Sequence, residues 1–133
     1  MQRQCDNALE LARFLQSLGG DIEVNYPGLE ESPYHEIAKK QFRNGYGAIV
    51  TVRTGSKEKA FSIINSLKIP LIISNIGDTK TLVIHPESTI AAHISDEEKQ
   101  QSGVFEDLIR ISVGIEDIED LKEDFKQAIE SNR

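Results

Sequence analysis

The stretch Leu108-Ile109-Arg110-Ile111-Ser112-Val113-Gly114-Ile115 decides the fold. Successive side chains on a strand point to opposite faces. Ile109, Ile111, Val113 and Ile115 therefore share one aliphatic face, which must be core. Leu108, Arg110, Ser112 and Gly114 share the other. Arg110 thus stands on the second face of a strand whose first face is already committed. It has three possible partners: solvent, one of the chain's 22 acidic residues, or a carboxylate from outside. The strand alone leaves all three open.

Working outward, the chain mixes helical and strand signals, with no internal repeat and no low-complexity segment. Ala8, Leu11, Ala12, Leu15 and Leu18 recur at helical spacing until Gly19-Gly20 stops them. This helix shows no N-cap, because its polar lead-in Met1-Gln2-Arg3-Gln4 is the chain start, which raises the expectation of a longer parent sequence. Ile22 to Tyr26 reads as a short strand closed by Pro27-Gly28. Ser32-Pro33 predicts the cap and first position of a second helix, ended by Asn44-Gly45. Ala48 to Val52 is β-branched and strand-like. Ser56 caps a third helix carrying Ala60, Phe61, Ile63, Ile64 and Leu67. Pro70 to Ile73 and Thr81 to Ile84 read as two more strands around the polar loop Ser74–Lys80. Ser95 with Glu98 forms a capping box for a brief helix that Gly103 ends. Asp117 opens a last helix with Ile118, Leu121, Phe125, Ala128 and Ile129 on one stripe.

Some of the connections between strands are too short for a parallel crossover. The expected fold is α+β: a two-layer sandwich with a mainly antiparallel or mixed sheet of about five short strands and helices packed on it.

With 133 residues the chain is one domain's worth. A net charge of −7, no dense basic patch and few aromatics argue against nucleic acid and anionic membrane surfaces. No apolar run is long enough to span a membrane, and the start carries no signal-peptide pattern. The single cysteine, Cys5, cannot form an internal disulfide, which fits a reducing, cytoplasmic location.

Arg110 is the strongest candidate for chemistry. Its guanidinium is planar, permanently charged and forked, so it meets a carboxylate with two parallel hydrogen bonds. The loop Ser74–Lys80 offers donors and an asparagine amide at a strand end, where binding groups often sit. It lacks the spacing of a phosphate loop, and a plain polar turn explains it equally well. His35, His85 and His93 have no metal-ligand spacing. His85-Pro86 ends a strand, where a histidine commonly bonds to backbone. Cys5, Ser88 and Thr89 complete no nucleophile–base–orienter set.

Taken in order, four segments carry a resemblance: NALELARFL at Asn7–Leu15, VNYPGLEESPYHEIAKKQF at Val24–Phe42, SNIGDTKTLVIHPEST at Ser74–Thr89, and GVFEDLIRISVGIEDIEDLKEDFKQAIE at Gly103–Glu130. Together they resemble the C-terminal domain of the Cys/Met-metabolism pyridoxal-phosphate (PLP) enzymes. That family includes cystathionine synthases and lyases, methionine γ-lyase and O-acetylhomoserine sulfhydrylase. The NIGD loop is more similar to the O-acetylhomoserine sulfhydrylase branch, since the lyases more often carry Ser-Leu-Gly there.

The resemblance implies that Arg110 binds the α-carboxylate of an O-acetylhomoserine-like amino-acid substrate, assisted by Asn75. It implies that the whole of residues 1–133 is a single small C-terminal domain. The larger PLP-binding domain, with its cofactor lysine, would then be absent from the chain, and Thr79-Lys80 does not resemble the cofactor-lysine motif. No cofactor is accordingly expected on this chain alone, and the chain should be inactive by itself. Family members usually form homotetramers. Glu87 departs from the family's small residue in the HP-x-ST stretch, and His93 lies two positions late, which bears on the details of the pocket. A stand-alone amino-acid-binding or regulatory module, or the partner of a separate cofactor-binding chain, is the rival reading.

Overall fold

In the computed structural model, which describes residues 1–133, five strands form a single sheet. They are β1 (Glu23–Asn25), β2 (Ile49–Arg53), β3 (Leu71–Ile72), β4 (Leu82–Ile84) and β5 (Leu108–Ser112). Their spatial order is β1-β2-β5-β4-β3, with every neighbouring pair antiparallel except β3 and β4. The helices are α1 (Gln2–Leu18), α2 (His35–Gln41), α3 (Lys57–Ser66), α4 (Asp96–Gln101) and α5 (Ile118–Glu130). Helices α1, α3 and α5 pack on one face of the sheet, which makes the two-layer α+β arrangement expected from the residue pattern.

Alternation along the strands builds the core. Val50 and Val52 of β2, Val83 of β4, and Ile109 and Ile111 of β5 face the helices. They meet Leu11 and Leu15 of α1, Ile63 and Ile64 of α3, and Leu121, Phe125 and Ile129 of α5. Helix α1 forms although its N-cap, Met1, makes no side-chain cap bond. A missing cap costs about 1 kcal/mol, whereas burying each leucine contributes roughly 1.5–3 kcal/mol, so the apolar stripe decides. The other starts are chemically marked. Ser56 accepts from Lys59 N at 3.2 Å, Ser95 and Glu98 bond reciprocally, and Asp117 accepts from Glu119 N and Asp120 N.

Two local expectations are corrected, and one strand pair calls for a separate account. Ser32 does not cap α2: its hydroxyl accepts from Tyr34 N, and the helix begins at His35. The chain from Leu29 to His35 instead winds through two successive turns, Ser32 N to Leu29 O and His35 N to Ser32 O, which delay the helix. Ile115 is 44% exposed and not core. Strand β5 ends at Ser112, and the Ile115 amide donates to Thr79 O, turning the chain away from the sheet. Finally, β3 and β4 are parallel although only residues 73–81 join them. Strands of two and three residues need a return of only about 7–10 Å at roughly 3.3 Å per residue, which a loop spans without a helix.

Candidate functional site

The face of the sheet opposite the helices carries the site. Residues directly opposite one another across a sheet project to the same side. Asn25, Thr51, Arg110 and Ile84 are register partners in one row, and Glu23, Arg53 and Leu108 form the next. A hollow of about 690 Å³ lies over these rows. Its remaining walls come from residues 29–34 after β1 and from residues 86–105 between β4 and β5.

Two arginines open onto this hollow, and they differ. Arg53 is committed: its Nε donates to Asp107 Oδ1 at 3.0 Å, and its guanidinium lies 4.1 Å from the centre of the Phe105 ring. Arg110 is half-buried and takes part in none of the chain's ion pairs. The sole hydrogen bond of its side chain within the chain runs from Nη2 to the Ser74 carbonyl at 2.8 Å. Burial draws the guanidinium below its ordinary value, with no carboxylate of the chain to offset it. An arginine nevertheless stays protonated in a protein. Of the three partners open to Arg110, an internal carboxylate is thus removed. What remains is a partly desolvated, forked cation with most of its donors unused, facing a hollow.

Asn75 follows Ser74, so the loop predicted as Arg110's companion does reach it. The contact is made by the Ser74 backbone, however. The Asn75 side chain is exposed, makes no hydrogen bond and does not line the hollow. Ser112, on the Arg110 face of β5, accepts from Gly77 N at 3.1 Å and pins the middle of the same loop.

The other candidates are absorbed locally. His85 is buried between Ser88 Oγ at 2.7 Å and the Glu106 carbonyl at 2.6 Å, the backbone role expected of it. His35 Nδ1 lies 2.8 Å from the Pro27 carbonyl. Cys5 is buried and free. No group of three or more potential ligands is placed to hold a metal ion. Glu87 lies between Lys57 and Lys99, 2.9 Å from each, and the two ammonium groups hold its carboxyl down at about 2. Thr51 and Asn25, which share the row of Arg110, were not singled out by sequence reasoning, because their placement depends on register between distant strands.

These residues do not fit the cofactor-holding half of a PLP site. No lysine lines the hollow. Lys57, Lys59, Lys99 and Lys122 are each engaged by a carboxylate. The hollow presents two guanidinium groups and no amine to hold an aldehyde.

The fold and site thus define a class: an α+β domain, open on one sheet face, with an arginine there that no carboxylate of the chain pairs. A family profile described as Cys/Met metabolism PLP-dependent enzyme matches residues 1–130, and the chain belongs to that family. It is 43% identical to homocysteine synthase of Schizosaccharomyces pombe over 98% of its own length and 30% of that protein. It is 42% identical to O-acetyl-L-homoserine sulfhydrylase 1 of Thermus thermophilus, over 96% of this chain and 31% of the relative. The structure of cystathionine γ-lyase from yeast superposes with a TM-score of 0.92 at 34% identity, covering 98% of this chain and 34% of that one. The chain therefore spans about a third of the length of the curated relatives it matches.

Proposed function

We propose that this chain is the substrate-carboxylate-binding C-terminal domain of a PLP-dependent enzyme of sulfur amino-acid metabolism, of the O-acetylhomoserine sulfhydrylase type. The observation that carries the reading is Arg110: half-buried, unpaired by any carboxylate of the chain, and facing a hollow on the open side of the sheet. Arg110 grips the α-carboxylate of an O-acetylhomoserine-like substrate through its fork, while the Ser74 carbonyl holds one arm of the guanidinium; Asn75, next to Ser74 and outside the hollow in this chain, turns its amide to the same carboxylate when the substrate is bound. The cofactor is contributed by a portion of the relatives' length that this chain does not span, and it supplies the electron sink for replacing acetate by a sulfur nucleophile. Alone, the chain catalyses nothing.

The test is Arg110→Ala in the cofactor-loaded enzyme carrying this sequence. Loss of a bidentate, partly desolvated carboxylate contact should raise KM for the amino-acid substrate by about 100-fold, on the scale of roughly 1.5–3 kcal/mol per charge-assisted bond. An unchanged KM and kcat would remove Arg110 from the site.

A second reading is favoured by the hollow itself, which this chain forms without help. A stand-alone amino-acid-binding module would give saturable binding of O-acetylhomoserine or methionine to the isolated chain in calorimetry. The domain reading expects no saturation there.

A further inference from the structure

We infer that Glu116 is a positioning residue for the carboxylate site, acting through Thr81 on the loop that sets the aim of Arg110. The inference rests on the reading of Arg110 as the carboxylate grip. Glu116 lies beyond the end of β5, in no ion pair, yet both oxygens of its carboxylate accept a hydrogen bond. Its Oε2 accepts from Thr81 N at 2.8 Å, and its Oε1 accepts from the Thr81 hydroxyl, also at 2.8 Å. That hydroxyl in turn accepts from Gly114 N at 2.9 Å. Thr81 is completely buried. A carboxylate is therefore spent on the first residue of the segment entering β4, where the sheet itself provides the Thr81 amide with no partner.

The surroundings reinforce the joint. Asn7 of α1 donates to both the Gly114 and Glu116 carbonyls, at 3.0 and 2.8 Å. Gln4 donates to the Asp78 carbonyl at 2.8 Å, and Ile115 N donates to Thr79 O at 2.8 Å. Gly114 admits no side chain, since a Cβ there would collide with the Thr79 carbonyl and lie 2.5 Å from Glu116 Oε1. Residues 73–80 of the loop between β3 and β4 are exposed, so few packing contacts fix them. Instead it is riveted by polar bonds: Glu116 at its C-terminal end, Ser112 at Gly77, and Arg110 itself at Ser74. Loosening the Glu116 end frees the Ser74 carbonyl that restrains the guanidinium, and with it Asn75.

Such an effect acts on ground-state and transition-state binding of the carboxylate alike, so it belongs in KM and not in kcat. Thr81→Val keeps the size of the side chain and removes the hydroxyl, while Thr81→Ser keeps the hydroxyl. In the cofactor-loaded enzyme, Glu116→Gln and Thr81→Val should each raise KM about tenfold, with kcat changed by less than about twofold. Thr81→Ser should stay near the wild-type values. Amide hydrogen exchange across Ser74–Lys80 should quicken in the first two variants while the core strands keep their protection. If Glu116→Gln loses that core protection as well, Thr81→Val decides. An unchanged KM in Thr81→Val, with Arg110→Ala still impaired, overturns the role of Glu116 alone. An unchanged KM in Arg110→Ala as well overturns the carboxylate reading beneath it.

Discussion

At the residue scale, a guanidinium differs from an ammonium by its plane and its fork, and the proposed role of Arg110 depends on both. One nitrogen is tied to the Ser74 carbonyl, which leaves the rest of the fork free for two oxygens. Arg110→Lys keeps the charge and discards this geometry. A lysine at this position meets a carboxylate through one ammonium and loses the restraint at Ser74. KM for the amino-acid substrate should then rise by roughly tenfold, a partial recovery from the about 100-fold rise in Arg110→Ala; steady-state kinetics of the two variants side by side checks it. Arg110 was legible because alternation isolates it on one face of an aliphatic strand. Its immediate partner was not, since a backbone carbonyl has no sequence signature and Ser74 lies 36 residues away. Glu116 was equally hidden. It follows the quoted strand directly, but its role appears only when Thr81 is brought to it from another strand.

At the scale of elements, capping and periodicity located all five helices and all five strands, because those signals are local. What escaped was geometry between elements. Two successive turns ahead of α2 moved its start from Ser32 to His35, and the shortness of β3 and β4 permitted a parallel pair on a short loop. The joint between α3 and α5 is a further case. Asp124, buried on α5, accepts from Lys68 N at 2.9 Å and Ile69 N at 2.8 Å, just beyond the end of α3, and from Gln127 Nε2 at 3.1 Å. From sequence it is one more acid on a polar helix face. In the fold it satisfies two amides that no strand or helix bond reaches. Asp124→Ala strands those amides, and by the cost of losing a charged acceptor it should destabilise the chain by about 2–4 kcal/mol. Urea unfolding should show a lower midpoint with an unchanged slope. Asp124→Asn, which keeps one acceptor oxygen, should recover part of the loss.

At the scale of the whole molecule, Glu87 joins the helical layer to the wall of the hollow. Lys57 begins α3, Lys99 belongs to α4, and Glu87 lies between them, its side chain 17% exposed. In this way the segment that ends in the Ser102–Phe105 wall is fastened to the helix side of the sheet. The two ammonium groups lower the Glu87 carboxyl from its ordinary 4.5 to about 2, and the carboxylate raises Lys57 above its ordinary 10.5. A depressed carboxyl contributes stability that is complete above its unfolded value and is lost as pH falls through its folded one. A raised ammonium contributes below its unfolded value and loses its contribution as pH rises through the folded one. The gap in Tm between the wild type and Glu87→Gln should therefore be widest and level between about pH 5 and 10, inside the limits of 4.5 and 10.5. It should narrow as pH falls from 4.5 toward 2, because wild-type Glu87 then takes up the proton that makes it resemble the amide. The other carboxyls held low, Asp78 and Glu98, are present in both proteins and cancel in the difference. Thermal melts of the pair across this range measure it. A gap that stays constant down to pH 2 would mean that Glu87 acts by shape and not by charge, and the electrostatic fastening of the α4 segment would have to be given up.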